Sequence, residues 1–273
     1  IAAYYAGIRK VYCTVTGLGF AFISSSLKAS VARFFLNILF RISMRFCNLT
    51  FFQNNDDQDY FIANKIISKK KCRLINGSGV NLKEFTPQEK NSASFTFLMI
   101  ARLLPEKGVK EYLDASMVIK KEFNDVSFVL IGSIEDSSDI TIETLNQYSH
   151  SVNYLGYQEN IQKHIKDSDV FVLPSYREGT SKSILEAMAM GKPIVTTNVP
   201  GCKDVVENNI NGLLIKEKSV SALTSALKRF IVDKEFLSRA GQMSLKIVSE
   251  KYDVKKVNKY FLNEVGLILN SNS

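Results

Sequence analysis

The sequence predicts an α/β protein built on parallel sheets in two Rossmann-like units, and three observations carry that expectation. From residue 95 onward, short runs that are apolar throughout ("FTFLMIA", "VSFVLIG", "VNYLG", "VFVLP", "PIVTT", "GLLI") alternate with stretches of helical spacing. Strands with no polar face must be covered on both sides, and helical crossovers join parallel neighbours. A Gly/Ser turn and a proline in "INGSGVNLKEFTP" mark a break over residues 80–87. Finally, 273 residues with 45% hydrophobic content exceed what one core normally needs.

Before the break, "KVYCTVTGLGFAF" and "CNLTFFQN" read as short buried strands flanking a helix in "SSLKASVARFFLNILFRISMRF". A basic run at Lys69, Lys70 and Lys71 and one more short strand complete this first unit, taken as residues 1–83. The second unit, residues 84–250, interleaves its strands with helices at 109–122, 142–149, 161–167 and 181–190 and a short segment at 203–207. The tail, 219–269, reads as helices with a breaker at Tyr252 and Asp253, and residues 251–273 are expected to form a helix packing back toward the first unit. The chain starts at Ile1 and its first strand-like run follows almost at once, so an upstream piece of the first unit is expected.

A net charge of +8 favours an anionic partner. Without zinc-finger spacing or an aromatic RNA-binding signature, nucleic acid is disfavoured against a phosphorylated small molecule or an acidic membrane surface. Arg33, Arg41 and Arg45 interrupt the best apolar stretch, which falls short of the roughly 18 residues of a spanning helix. Cys13, Cys47, Cys72 and Cys202 lie far apart in sequence with no C-x-x-C pair, which fits free thiols in a reducing cytosol. His150 and His164 have no neighbouring ligand residues and read as surface or edge positions.

Doubly wound sheets bind ligands at the carboxyl ends of their strands, here Gly132, Gly156 and Ser175. Beyond Ser175, "YREGTSKSILEAMAM" turns into a helix at Gly179, Thr180 and Ser181, whose free amides suit an anion or a polyhydroxyl ligand. Glu186 falls on the crevice side of that helix and Glu178 at the turn. Two carboxylates on one edge can accept hydrogen bonds from paired sugar hydroxyls, but a turn acid and a solvated helix acid explain the spacing as well. Arg102 and Lys107 in "IARLLPEKGV" could grip a diphosphate from a neighbouring strand end, or be ordinary surface cations. No G-x-G-x-x-G follows a strand, which disfavours a dinucleotide dehydrogenase.

These residues carry a resemblance. "ARLLPEKGVKEYLDA", "VNYLGYQENIQKHIKDSDVFVLPSYREGTSKSILEAMAMGKPIVTTNVPGCKDVVENNINGLLI" and the helical tail resemble the nucleotide-sugar-binding domain of GT-B glycosyltransferases of family four. "TVTGLGF", "FFQNNDDQDYF" and "GCKDVV" look most like bacterial enzymes of capsule, O-antigen and undecaprenyl-diphosphate-linked oligosaccharide synthesis.

The resemblance implies two Rossmann-like domains, the first truncated, and transfer from a nucleotide-sugar, by expectation a UDP-sugar, to a lipid-linked or saccharide acceptor with retention. It gives Glu186 the ribose hydroxyls, Glu178 the donor sugar, Arg102 and Lys107 the diphosphate, and the amides of Gly179, Thr180 and Ser181 the sugar and phosphate. Main chain near Tyr157 and Gln158 would meet the base. No metal or other cofactor is expected, and the implied location is cytoplasmic, at the inner membrane face. Thr16-Gly17 stands where many relatives carry His-Gly, so a histidine is absent there.

A nucleotide-sugar 2-epimerase of the same fold and a non-catalytic half enzyme remain alternatives. The helix over 25–46 mixes Phe34, Phe35, Ile38, Leu39, Ile42 and Phe46 with three arginines, which suits either an anionic membrane surface or a plain core face edged by cations. "NGSGV" reads better as an interdomain hinge than as a phosphate loop, and Gly201-Cys202 as either a lid or a tight loop.

Overall fold

The computed structural model describes residues 1–19, 22, 26–135 and 138–267. Parts of three expected elements lie outside them: Phe20 and Ala21 of the first strand, Ser25 at the helix start, and Ile268 and Leu269 of the tail.

After a short helix α1 (Ala2–Tyr5), strands β1 (Tyr12–Val15), β2 (Leu49–Phe52) and β3 (Cys72–Leu74) form a parallel three-stranded sheet in that order. Helix α2 (Leu27–Arg45) crosses from β1 to β2, and α3 (Asn55–Ala63) from β2 to β3. β1 is shorter than its apolar run because Gly17 and Gly19, with φ of 138° and 70°, lead the chain out of the sheet. α3 was not foreseen in "QNNDDQDYF". Its signal is an N-cap: the Asn54 side chain accepts from the Asp57 amide at 2.8 Å, and Asp56 and Asp57 occupy the positive first turn.

Pairing β1 with β2 brings together two cysteines 34 residues apart in sequence, Cys13 Sγ lying 2.9 Å from Cys47 Sγ. All four cysteines are free thiols, and burial together with Cys13 pushes the Cys47 thiol up to about 12.

The second sheet is parallel and six-stranded, built from β4 (Phe95–Ile100), β5 (Val126–Ile131), β6 (Asn153–Tyr154), β7 (Val170–Leu173), β8 (Ile194–Thr197) and β9 (Gly212–Ile215). Its order is β6-β5-β4-β7-β8-β9. The crossovers are α4 (Val109–Glu122), α5 (Ile142–Gln147), α6 (Gln162–Lys166) and α7 (Lys182–Ala189). The all-apolar strands predict this arrangement, and their residues are buried: Phe97, Phe128, Phe171 and Ile194 sit at the centre of the larger core. Buried Tyr112 places its hydroxyl between the carbonyls of Phe97 and Val129, so even its polar tip is satisfied. Winding runs outward from β4 through β5 to β6, then resumes on the other side with β7. That reversal opens a crevice at the carboxyl ends of β4 and β7.

Helices α8 (Val220–Val232), α9 (Lys234–Lys251) and α10 (Val254–Glu264) follow. α9 stops at the expected breaker, where Asp253 caps α10. The chain crosses back here: Val80 donates to Tyr252 O at 2.9 Å and Val254 donates to Val80 O at 3.0 Å. α10 lies on the first sheet, with the Phe261 ring 4.6 Å from Phe51, Val257 and Val265 buried beside Ile75, and Glu264 paired with Arg73.

The apolar side of α2 divides. Phe40 packs on Phe61, whereas Phe34 and Phe35 are 63% and 59% exposed and Leu39 and Ile42 are exposed too, so a plain core face does not describe this helix. Arg41 donates to the carbonyls of Asn64 and Lys65, closing the end of α3.

Candidate functional site

Each wall of the crevice comes from one strand end. β4 delivers Arg102, and the turn Pro105–Lys107 brings Lys107 over the same opening. β5 ends at Gly132 and β6 leads to Tyr157 and Gln158. β7 breaks at Ser175, whose hydroxyl donates to Glu106 O at 3.0 Å and ties this exit to the neighbouring turn. The chain then runs through Glu178 into α7.

The resulting cleft holds about 650 Å³ and is lined by Arg102, Lys107, Tyr157, Gln158, Glu178, Thr180, Ser181 and Glu186. Eight of the candidate residues therefore converge on one opening. Gly179 instead lines an adjoining cavity of about 230 Å³ between the two halves, shared with Arg102, Lys107, Glu178, Thr16 and Gly17. A Cβ on Gly179 would overlap the Thr16 carbonyl, so the approach of the first half requires glycine at this position.

Among the described residues, the charges lining the cleft include two ion pairs, the exposed Glu159 and the Arg102 cation. Lys107 Nζ lies 2.7 Å from Glu178 Oε1, both side chains being mostly buried. Lys182 Nζ lies 3.4 Å from Glu186 Oε1. The Arg102 guanidinium lines the cleft with no hydrogen-bond or ion-pair partner among the described residues.

Glu186 is only 5% exposed, so it is not a solvated helix acid. Desolvation holds its carboxyl above the ordinary range, against the opposing pull of Lys182. A carboxylate kept in a desolvated cleft with little compensation is a mark of a binding or reactive site. Ser181 uses its hydroxyl as the N-cap of α7, accepting from Ile184 N at 3.5 Å, which leaves the first-turn amides at the cleft wall. Thr180 Oγ1 is committed to Gln53 O at 3.1 Å. On the far wall Tyr157 is 72% exposed, and Gln158 Nε2 donates to Leu155 O.

Gly201 and Cys202 form a tight loop beneath the site. The Glu178 amide donates to Pro200 O at 3.0 Å, and buried Cys202 has its thiol raised to about 12 by desolvation. Thr180 packs on Gly77, so "NGSGV" contributes contact between the halves. His150 and His164 line a different cavity of about 380 Å³ at the amino ends of β4, β5 and β6. Sequence reasoning passed over Asp57 and Arg177, which form a buried ion pair beside the site. The readable signal was the N-capping Asn54 followed three residues later by an acid.

A model of the family described as glycosyl transferases group 1 matches residues 81–246, the whole of the second sheet and its helices. Two curated proteins are similar over most of the chain. The N,N'-diacetylbacillosaminyl-diphospho-undecaprenol alpha-1,3-N-acetylgalactosaminyltransferase of Campylobacter jejuni is 34% identical across 86% of this chain and 65% of its own length. The UDP-Gal:alpha-D-GlcNAc-diphosphoundecaprenol alpha-1,3-galactosyltransferase of Escherichia coli is 30% identical across 99% of this chain and 72% of its own. The chain thus spans about two thirds of the length of the Campylobacter relative. Among solved structures, Anabaena HepE in complex with UDP superposes with a TM-score of 0.83 at 20% identity, covering 98% of this chain and 74% of that one. Family match, relatives and the twin parallel sheets agree: this chain belongs to the group 1 glycosyl transferases and has the GT-B architecture.

Proposed function

We propose that this chain carries the donor site of a retaining glycosyltransferase of bacterial surface polysaccharide synthesis. It takes a nucleotide-sugar, UDP-linked in this reading, and passes the sugar to a lipid-linked diphosphate or saccharide acceptor. One observation carries the reading: Arg102, whose guanidinium has no partner among the described residues, shares a cleft at the strand reversal with the carboxylates of Glu178 and Glu186. The Campylobacter and Escherichia relatives, both named as α-1,3-linking transferases of undecaprenyl-diphosphate sugars, support the acceptor class and retention.

In this reading Glu186 accepts hydrogen bonds from the ribose hydroxyls and Glu178 from those of the donor sugar. The base rests along Tyr157 and Gln158. Donor binding exchanges an ion pair: Lys107 leaves Glu178 for the diphosphate and joins Arg102, while Glu178 turns to the sugar. The bond from the anomeric carbon to the diphosphate oxygen then breaks, and its electron pair leaves with the phosphate. The acceptor hydroxyl adds from the same face, giving its proton to the departing phosphate oxygen. Arg102, Lys107 and the amides of Gly179, Thr180 and Ser181 stabilise the leaving charge, the electrostatic role a divalent metal takes elsewhere. Glu178 orients and does not attack.

Among the described residues no helix is long and apolar enough to cross a membrane. The exposed aromatic side of α2, flanked by Arg33 and Arg45, supports peripheral contact with the anionic inner face of the cytoplasmic membrane.

Incubation with UDP-galactose or UDP-N-acetylgalactosamine and a synthetic lipid-diphosphate sugar acceptor tests the activity. An α-linked product by NMR is expected. A β-linked product contradicts retention, and sugar nucleotide rearranged without transfer contradicts the transferase reading.

A further inference from the structure

The loop that presents Glu178 is not held by its own half of the molecule alone. Arg177 donates from Nη2 to Asp57 Oδ1 in the first turn of α3, on the opposite half. Asp57 is completely buried, and its second carboxylate oxygen accepts from Asn54 Nδ2 at 3.1 Å. That amide group also reaches the carbonyls of Glu178 and Gly179, at 3.5 and 3.4 Å. A buried charge pair contributes little net stability, since desolvation offsets its attraction, but it fixes one arrangement against others. Among the described residues Arg177 Nε is buried without a hydrogen-bond partner, its guanidinium bonds Asp57, and its own loop holds its carbonyl through the Ser175 hydroxyl.

We propose that Asp57 and Arg177 are an interdomain positioning pair that makes donor-sugar engagement depend on contact between the two halves. Asp57 acts through Arg177, the residue before Glu178, while Asn54, bonded to the same carboxylate, reaches the Glu178 and Gly179 carbonyls; together they aim the Glu178 carboxylate into the cleft. The nucleotide end is independent of this device. Glu186 stands on α7, anchored in the second core by Ile184, Leu185 and Met188. The pair therefore governs the sugar and leaves the nucleoside diphosphate alone. This inference rests on Glu178 contacting the donor sugar, as proposed above.

The test is calorimetric binding of UDP and of UDP-galactose to the full chain, its Glu178→Gln variant, and Asp57→Asn, Arg177→Gln, Arg177→Lys and Asp57→Asn/Arg177→Gln. Loss of UDP-galactose affinity of about tenfold is expected for Asp57→Asn and Arg177→Gln, with UDP changed less than about twofold. The double variant should be no worse than either single one, and Arg177→Lys should recover part of the loss. Equal losses for both ligands would reduce the pair to a structural contact, and additive losses would show that Asp57 does not act through Arg177. Unchanged UDP-galactose binding in the pair variants while Glu178→Gln loses it overturns this inference alone. If Glu178→Gln also binds UDP-galactose normally, the donor-sugar role of Glu178 fails and the inference with it.

Discussion

Lys107 Nζ and Glu178 Oε1, 71 residues apart in sequence, sit 2.7 Å from each other across the mouth of the cleft. In the proposed donor site, a diphosphate that takes Lys107 and a sugar hydroxyl that takes Glu178 would each break this pair. Glu178→Gln releases Lys107, so UDP binding should hold or strengthen by a few-fold, about 1 kcal/mol or less, while UDP-galactose loses its advantage over UDP. Competition calorimetry with the two ligands reads both effects.

Glu186 gives a prediction of opposite signs. Its folded carboxyl lies above the ordinary range because of burial, so the stabilising contribution is fully present at low pH and is lost as pH rises through the folded value. At neutral pH the ionised group costs stability. Glu186→Gln should therefore raise the melting temperature at pH 7.5, by the equivalent of about 0.5–2 kcal/mol, with a smaller gain at pH 4.5. The same variant should weaken UDP about tenfold or more through loss of charge-assisted hydrogen bonds. Thermal melts at both pH values and calorimetry separate the two effects.

Gly179→Ala forces a Cβ into the Thr16 carbonyl across the junction of the halves. The strain should cost about 1–3 kcal/mol or move the halves apart. Small-angle scattering is expected to show a larger radius of gyration, or melting a lower midpoint, than for the unsubstituted chain.

The exposed side of α2 predicts membrane attachment. The chain should sediment with phosphatidylglycerol vesicles, less so at high salt, and Phe34→Ser/Phe35→Ser should lower the bound fraction several-fold. Vesicles of phosphatidylcholine alone should retain little protein.

The strands of the second sheet were legible because burial on both faces leaves no polar alternation, as in "VFVLP", and every such run from β4 to β9 became a strand. The candidate residues converge because the doubly wound topology sends strand ends to one side. Contacts between the halves were not legible. Asp57 and Arg177 are 120 residues apart and meet only once α3 is placed, and a short polar stretch hides a helix whose signal is one capping asparagine. The burial of Glu186 was hidden too, because the wheel assigns a side without saying how deep the cleft encloses it.

The most direct measurement is calorimetric titration of UDP, GDP and ADP into the chain, its Arg102→Ala variant and its Glu186→Ala variant. Selective binding of UDP, weakened by about tenfold or more by each substitution, is expected. UDP binding undiminished by both substitutions would contradict the donor site placed at the carboxyl ends of β4 and β7.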